Sequence, residues 1–121
     1  MPTVLVVDDD DVIRDVLAEA LSDEGYDVVA CEDGAEALDR TRRCRPDLIV
    51  LDLMMPRLDG WEFRRRQLEL DGLRDVPVIV LTAARNLEQQ VQSLRPAAAM
   101  AKPFNLGLLL RTVERVLDGS G

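Results

Sequence analysis

Four short apolar runs, Val4-Leu5-Val6-Val7, Val28-Val29-Ala30-Cys31, Leu48-Ile49-Val50-Leu51 and Val78-Ile79-Val80-Leu81, constrain the fold of this chain more than any other feature. Each is strand-length, rich in β-branched residues and continuous in apolarity, the pattern of parallel strands buried on both faces. A weaker fifth run, Ala98 to Ala101, consists of small residues and is assigned by position more than by propensity. Between the runs, Ile13, Val16, Leu17, Ala20 and Leu21 recur at the spacing of one helix face, as do Leu87, Val91 and Leu94, and Leu106, Leu109, Leu110, Val113 and Leu117. Ala35 to Arg43 reads as a helix after the turn Asp33-Gly34. Trp61 to Leu70 patterns less cleanly, because Arg64-Arg65-Arg66 interrupts it; that triplet reads as a solvated helix face. Strands alternating with helices predict an α/β chain, with right-handed crossovers and helices on both sides of a parallel sheet.

With 121 residues, 47% of them hydrophobic, the chain is expected to form one domain, 1–121, whose last residues, 118–121, are a linker start or a frayed end. No apolar run approaches the roughly 20 residues that cross a bilayer, and the first residues lack a basic leader, so no membrane partner and a cytoplasmic location are expected. A net charge of -8 repels phosphate backbones and argues against direct nucleic-acid binding. Cys31 and Cys44 show no metal-ligand spacing. The absence of histidine excludes a histidine triad, a histidine metal cage and a self-contained phosphohistidine relay. Of 15 basic residues only Lys102 is lysine, which marks a position needing a compact ammonium.

The polar residues that end the runs carry the chemistry. Asp8 and Asp9 follow the first, Asp52 the third, Thr82 the fourth and Lys102 the fifth, and in a parallel sheet these all lie at one edge. Open α/β sheets bind ligands beyond the carboxyl ends of their strands. Asp10 or Asp11 is expected to cap the first helix. Clustered carboxylates at ~4 Å and an effective dielectric of about 20 repel by about 4 kcal/mol per pair before screening. A cation must offset that. Mg²⁺, with Mn²⁺ as a substitute, suits carboxylates combined with water and phosphate oxygens, and Lys102 adds a fixed positive charge. Asp52 can then act as a nucleophile toward a phosphoryl group, giving an acyl phosphate, with Thr82 donating a hydrogen bond to a phosphoryl oxygen.

At these residues the chain resembles the response-regulator receiver family of two-component signalling, over nearly its whole length. The matching pieces are Val6-Val7-Asp8-Asp9, Leu51-Asp52-Leu53-Met54-Met55-Pro56 running to Asp59-Gly60, Val80-Leu81-Thr82-Ala83, and Lys102-Pro103-Phe104. The resemblance implies a flavodoxin-like (βα)5 doubly wound sandwich with strand order 2-1-3-4-5. It further implies Asp52 as phosphoacceptor, Asp9, Asp52 and the main-chain carbonyl of Met54 as metal ligands, and Asp8 as supporting the metal directly or through water. Thr82 and Lys102 would contact the phosphoryl group, and Lys102-Pro103 would be cis. The implied partners are a histidine kinase or histidine phosphotransfer protein, with an effector domain or target protein receiving the output. Met54 and Ala84 offer no group to position water, so slow self-dephosphorylation is expected. The chain departs from the family pattern at Ala99, where an aromatic residue is usual.

Two other readings compete. A haloacid-dehalogenase-like phosphatase would use Asp8, Asp10 and Val12, then Thr82 and Lys102, but its later acidic motif is missing and the Asp52 segment goes unexplained. A pseudo-receiver would keep the fold as an interaction module without phosphorylation, against which stand the intact Asp9, Asp52, Thr82 and Lys102. Dinucleotide binding fails because four aspartates, rather than a glycine-rich turn, follow Val7.

Overall fold

The computed structural model describes residues 1–53, 60–70, 72–83 and 94–119. Met54, Asp59, Ala84 and the stretch carrying Leu87 and Val91 lie outside the described residues, and with them the expected main-chain ligand and one expected helix.

In chain order the elements are β1 (Thr3–Val7), α1 (Asp11–Asp23), β2 (Asp27–Cys31), α2 (Gly34–Arg43), β3 (Leu48–Asp52), α3 (Gly60–Glu69), β4 (Val78–Ala83), β5 (Ala98–Lys102) and α4 (Leu106–Leu117). The strands form one parallel sheet in the order β2-β1-β3-β4-β5, as the resemblance implies. Successive side chains of a strand point to opposite faces, and here both faces are covered. Val4, Val6, Leu48, Val50, Ile79 and Leu81 pack with Leu17 and Leu21 of α1 and Leu109 and Val113 of α4. Leu5, Val7, Ile49, Leu51, Val78 and Val80 pack on the other side with Ala37 and Leu38 of α2 and Phe63 of α3. This double burial is why three of the runs are apolar without alternation.

Side-chain caps define where the helices begin. The Asp10 carboxylate accepts from the amides of Val12 and Ile13 at 2.9 and 3.1 Å, Asp33 accepts from Glu36 and Asn105 from Leu108, each at 2.9 Å. The expected capping role of the aspartate run therefore falls to Asp10.

Three expectations need correction. The run at β2 is not buried on both faces: β2 is an edge strand, its Val28 and Val29 are half-buried and its Ala30 exposed. Val16 is 45% exposed, because α1 meets the sheet along the Leu17–Leu21 line and Val16 lies about 100° round the helix from Leu17. Arg64-Arg65-Arg66 is not a uniformly solvated face. Consecutive helical residues cannot share a side, and while Arg65 and Arg66 reach Glu62 at the surface, Arg64 turns inward to 5% exposure. The buried stripe of α3 is Gly60, Phe63, Arg64 and Gln67.

Candidate functional site

The carboxyl ends of β1, β3, β4 and β5 deliver Asp8, Asp52, Thr82 and Lys102 to one edge of the sheet. Asp8, just past β1, is fully buried and fixed from several sides. Its amide donates to the Cys31 carbonyl at 3.1 Å, its carbonyl accepts from Arg14 Nη1 at 3.0 Å, and its Oδ1 accepts from the Asp10 amide at 2.9 Å. Asp52 closes β3 at 3% exposure, and Asp9 is exposed beside them. One carboxylate oxygen from each of Asp8, Asp9 and Asp52 lies within 4.8 Å of the others.

Lys102 pairs in register with Ala83, yet its side chain reaches back across β4 toward β3 and β1. Its Nζ lies 3.0 Å from Asp8 Oδ2 and 3.2 Å from Asp52 Oδ2. Burial alone would pull its pKa down. The hydrogen bond to Asp8 and the charges of Asp52 and Asp8 outweigh that and hold the ammonium above its usual value. The Lys102-Pro103 peptide bond is cis, as the resemblance implies.

Thr82 lies one step beyond the Asp52–Leu81 register pair and is 1% exposed. Its Oγ1 has no hydrogen-bond partner among the described residues. A buried hydroxyl left without a partner costs roughly 1–3 kcal/mol, a cost that an acceptor oxygen on a ligand at this edge would remove. All-oxygen carboxylate donors suit a hard divalent cation. The three acids, the ammonium and the spare hydroxyl together fit a site for an anion and a metal ion.

The floor of the site depends on Gly60. A Cβ there would sit 2.6 Å from the Asp52 carbonyl and 2.6 Å from Leu53 Cα, and the Gly60 amide donates to the Leu53 carbonyl at 3.1 Å. Only glycine lets α3 start this close to the strand end that carries Asp52.

All five side chains expected from sequence, Asp8, Asp9, Asp52, Thr82 and Lys102, lie at this edge. Arg14 and Arg64 were missed. Arg14 could have been suspected as the one cation one turn into the helix that follows the acidic strand end. The signal for Arg64 was the i, i+3, i+4, i+7 spacing of Gly60, Phe63, Arg64 and Gln67, which is legible only if arginine and glutamine are allowed inside.

Comparison with known proteins agrees with this geometry. Residues 4–114 match the family model of the response regulator receiver domain. Response regulator MprA of Mycolicibacterium vanbaalenii is 44% identical over 98% of this chain and 54% of its own length, and MprA of Mycobacterium leprae is 45% identical over 94% and 50%. The chain thus spans about half the length of the curated relatives it matches. Among solved structures, the chemotaxis response regulator CheY4 of Vibrio cholerae superposes with a TM-score of 0.88 at 34% identity, covering 96% of this chain and 98% of its own. The receiver domain of Francisella response regulator 1452 gives 0.89 at 30% identity, with all of both chains covered. Neither the dehalogenase-like reading nor the pseudo-receiver reading is favoured by these likenesses. Fold, strand-end chemistry and relatives converge, and the chain belongs to the response regulator receiver domain family.

Proposed function

We propose that Asp52 is the phosphoacceptor of this receiver and takes its phosphoryl group from a phosphohistidine on a histidine kinase or histidine phosphotransfer protein. Residues 1–121 contain no histidine, so the phosphohistidine lies outside them. The observation that carries the reading is the placement of Lys102 Nζ at 3.0 and 3.2 Å from Asp8 and Asp52, inside a cluster of three carboxylates.

A carboxylate oxygen of Asp52 forms a bond to phosphorus as the donor's N–P bond breaks, leaving an acyl phosphate. Negative charge accumulates on the phosphoryl oxygens during the transfer. Lys102 already lies against the attacking carboxylate and can follow the charge onto one phosphoryl oxygen, while the Thr82 hydroxyl donates to another. Asp8, fixed by Arg14 and by the Asp10 amide, and Asp9 would hold Mg²⁺, or Mn²⁺ in its place, with Asp52 and the Met54 carbonyl as further ligands. The metal supplies charge neutralisation at the phosphoryl oxygens. In this reading residues 1–121 are one cytoplasmic receiver domain, a switch whose output goes to an effector domain or target protein.

Incubation with a small phosphodonor and Mg²⁺, followed by intact mass measurement, tests this. One added phosphoryl group per chain is expected, absent from Asp52→Asn. Retention of the gain in that variant, or labelling at Asp8, would overturn the assignment. Steady phosphate release over many turnovers would favour the phosphatase instead.

A further inference from the structure

Arg64 is buried to 5% exposure with no ion-pair partner among the described residues. Its three polar nitrogens all donate to neutral acceptors: Nε to the Leu94 carbonyl at 2.9 Å, Nη2 to the Arg95 carbonyl at 3.0 Å and Nη1 to Gln67 Oε1 at 2.8 Å. Desolvation holds its pKa below the usual arginine value. Burying a cation without a counter-charge is expensive, so the fork must hold something the fold needs.

What it holds is the backbone leading into β5. Arg95 is the only non-glycine residue with positive φ among the described residues, at +50°. Such a conformation costs of order 1–3 kcal/mol and persists only where its surroundings over-determine it. The Arg64 guanidinium grips the carbonyl of that residue and of the one before it. Downstream, β5 is an edge strand of small residues, half-buried throughout, with little side-chain burial to locate it. Yet β5 carries Lys102, whose Nζ lies 3.2 Å from Asp52 Oδ2. At its other end, α3 starts at Gly60, packed on the Asp52 and Leu53 backbone.

We infer that Arg64 is a positioning residue for phosphoryl transfer, tying the helix seated on the Asp52 strand end to the lead-in of β5 and thereby setting the distance between Lys102 and Asp52. This role rests on Asp52 being the phosphoacceptor. Arg64 touches no reacting atom and acts through Lys102.

A double-mutant cycle on the full chain tests it, with Arg64→Met and Lys102→Ala singly and together, reading the rate of phosphorylation by a small phosphodonor with Mg²⁺. Arg64→Met is expected to slow the transfer about tenfold when Lys102 is present and less than about twofold when it is absent, the non-additivity of two residues acting through one contact. Equal losses in both backgrounds would make Arg64 a general stabiliser and overturn the proposal. Should Arg64→Met not fold, Arg64→Lys, which keeps the charge but loses the planar fork that spans both carbonyls, carries the same cycle with a smaller expected loss. Hydrogen exchange supplies a second reading: faster exchange confined to the β5 amides supports the clamp, and uniform acceleration across the sheet overturns it. Phosphorylation surviving Asp52→Asn would sink the reading of the site itself, an outcome distinct from additive losses in the cycle.

Discussion

The two faces of the sheet are built on different principles. Under α1 and α4 the core is apolar side chains, Leu17, Leu21, Leu109 and Val113 against β1, β3 and β4, and the one buried hydroxyl of these helices, Thr112, donates to its own helix at the Leu108 carbonyl. Under α3 the hydrophobic cluster around Phe63 is bordered by a buried polar network. Arg64 and Gln67 lie side by side there, and Gln67 Nε2 donates to the carbonyls of Leu73 and Val76 at 2.7 and 3.0 Å. The difference follows from what each helix covers. Helices α1 and α4 lie over strands whose backbone groups are already paired in the ladder. Helix α3 also covers irregular chain at 72–76 and 94–95, outside the ladder, where the Val76, Leu94 and Arg95 carbonyls accept from the side chains of Gln67 and Arg64 and the Leu73 carbonyl accepts from both Gln67 and the Val76 amide. Patterning suffices on one face, whereas the other needs particular atoms.

The largest expected effect tests the apolar face. Leu109 is fully buried among apolar side chains, so Leu109→Ala removes contacts and leaves a cavity. A loss of about 2–5 kcal/mol in equilibrium denaturation is expected, with the unfolding slope unchanged. A loss under about 1 kcal/mol would mean that α4 collapses onto the sheet more freely than its packing implies.

A smaller effect is expected across the sheet, from a different cause. Gln67→Leu keeps the volume close to native but strips donors from two carbonyls and an acceptor from Arg64. A cost of roughly 1–3 kcal/mol is expected, because buried groups lose partners while little cavity forms. Amide exchange should rise first around 73–76. If the variant equals or exceeds the native stability, the network is dispensable and the contrast between the faces fails.

The same contrast decides what the sequence made legible. Strands β1, β3 and β4 could be read from apolar runs because hydrophobic burial is non-directional and needs only residue type. Asp8, Asp52, Thr82 and Lys102 were legible because a parallel sheet sends strand ends to one edge, and the order of those ends along the chain matches a family signature. Arg64 was illegible as a core residue, since an arginine between a phenylalanine and two arginines looks solvated unless the carbonyls of Leu94 and Arg95, 30 and 31 residues downstream, are known to be waiting. The exposure of Val16 is hidden for a related reason: hydrophobic spacing gives a stripe, but the width of the contact is set by the sheet it meets.

Lys102 belongs to neither face, standing where both layers end, and it gives the smallest expected effect because 24% of its side chain remains exposed. Its folded-state pKa lies above the unfolded value, so its stabilisation is full below the usual lysine value, about 10.4, and is lost as pH rises through the folded value. Wild type and Lys102→Met, compared in metal-free buffer, should therefore differ in thermal stability near neutrality, where the variant leaves Asp8 and Asp52 without their shared ammonium. The gap should narrow above about pH 10.4 as the wild-type lysine loses its charge and the two proteins become electrostatically alike. Burial raises the Tyr26 hydroxyl and pushes the Cys31 thiol up to about 12, but both groups titrate in either protein and cancel in the difference. A gap that stays constant across that range would place the contribution of Lys102 in the packing of its aliphatic stem against its neighbours, and not in its charge.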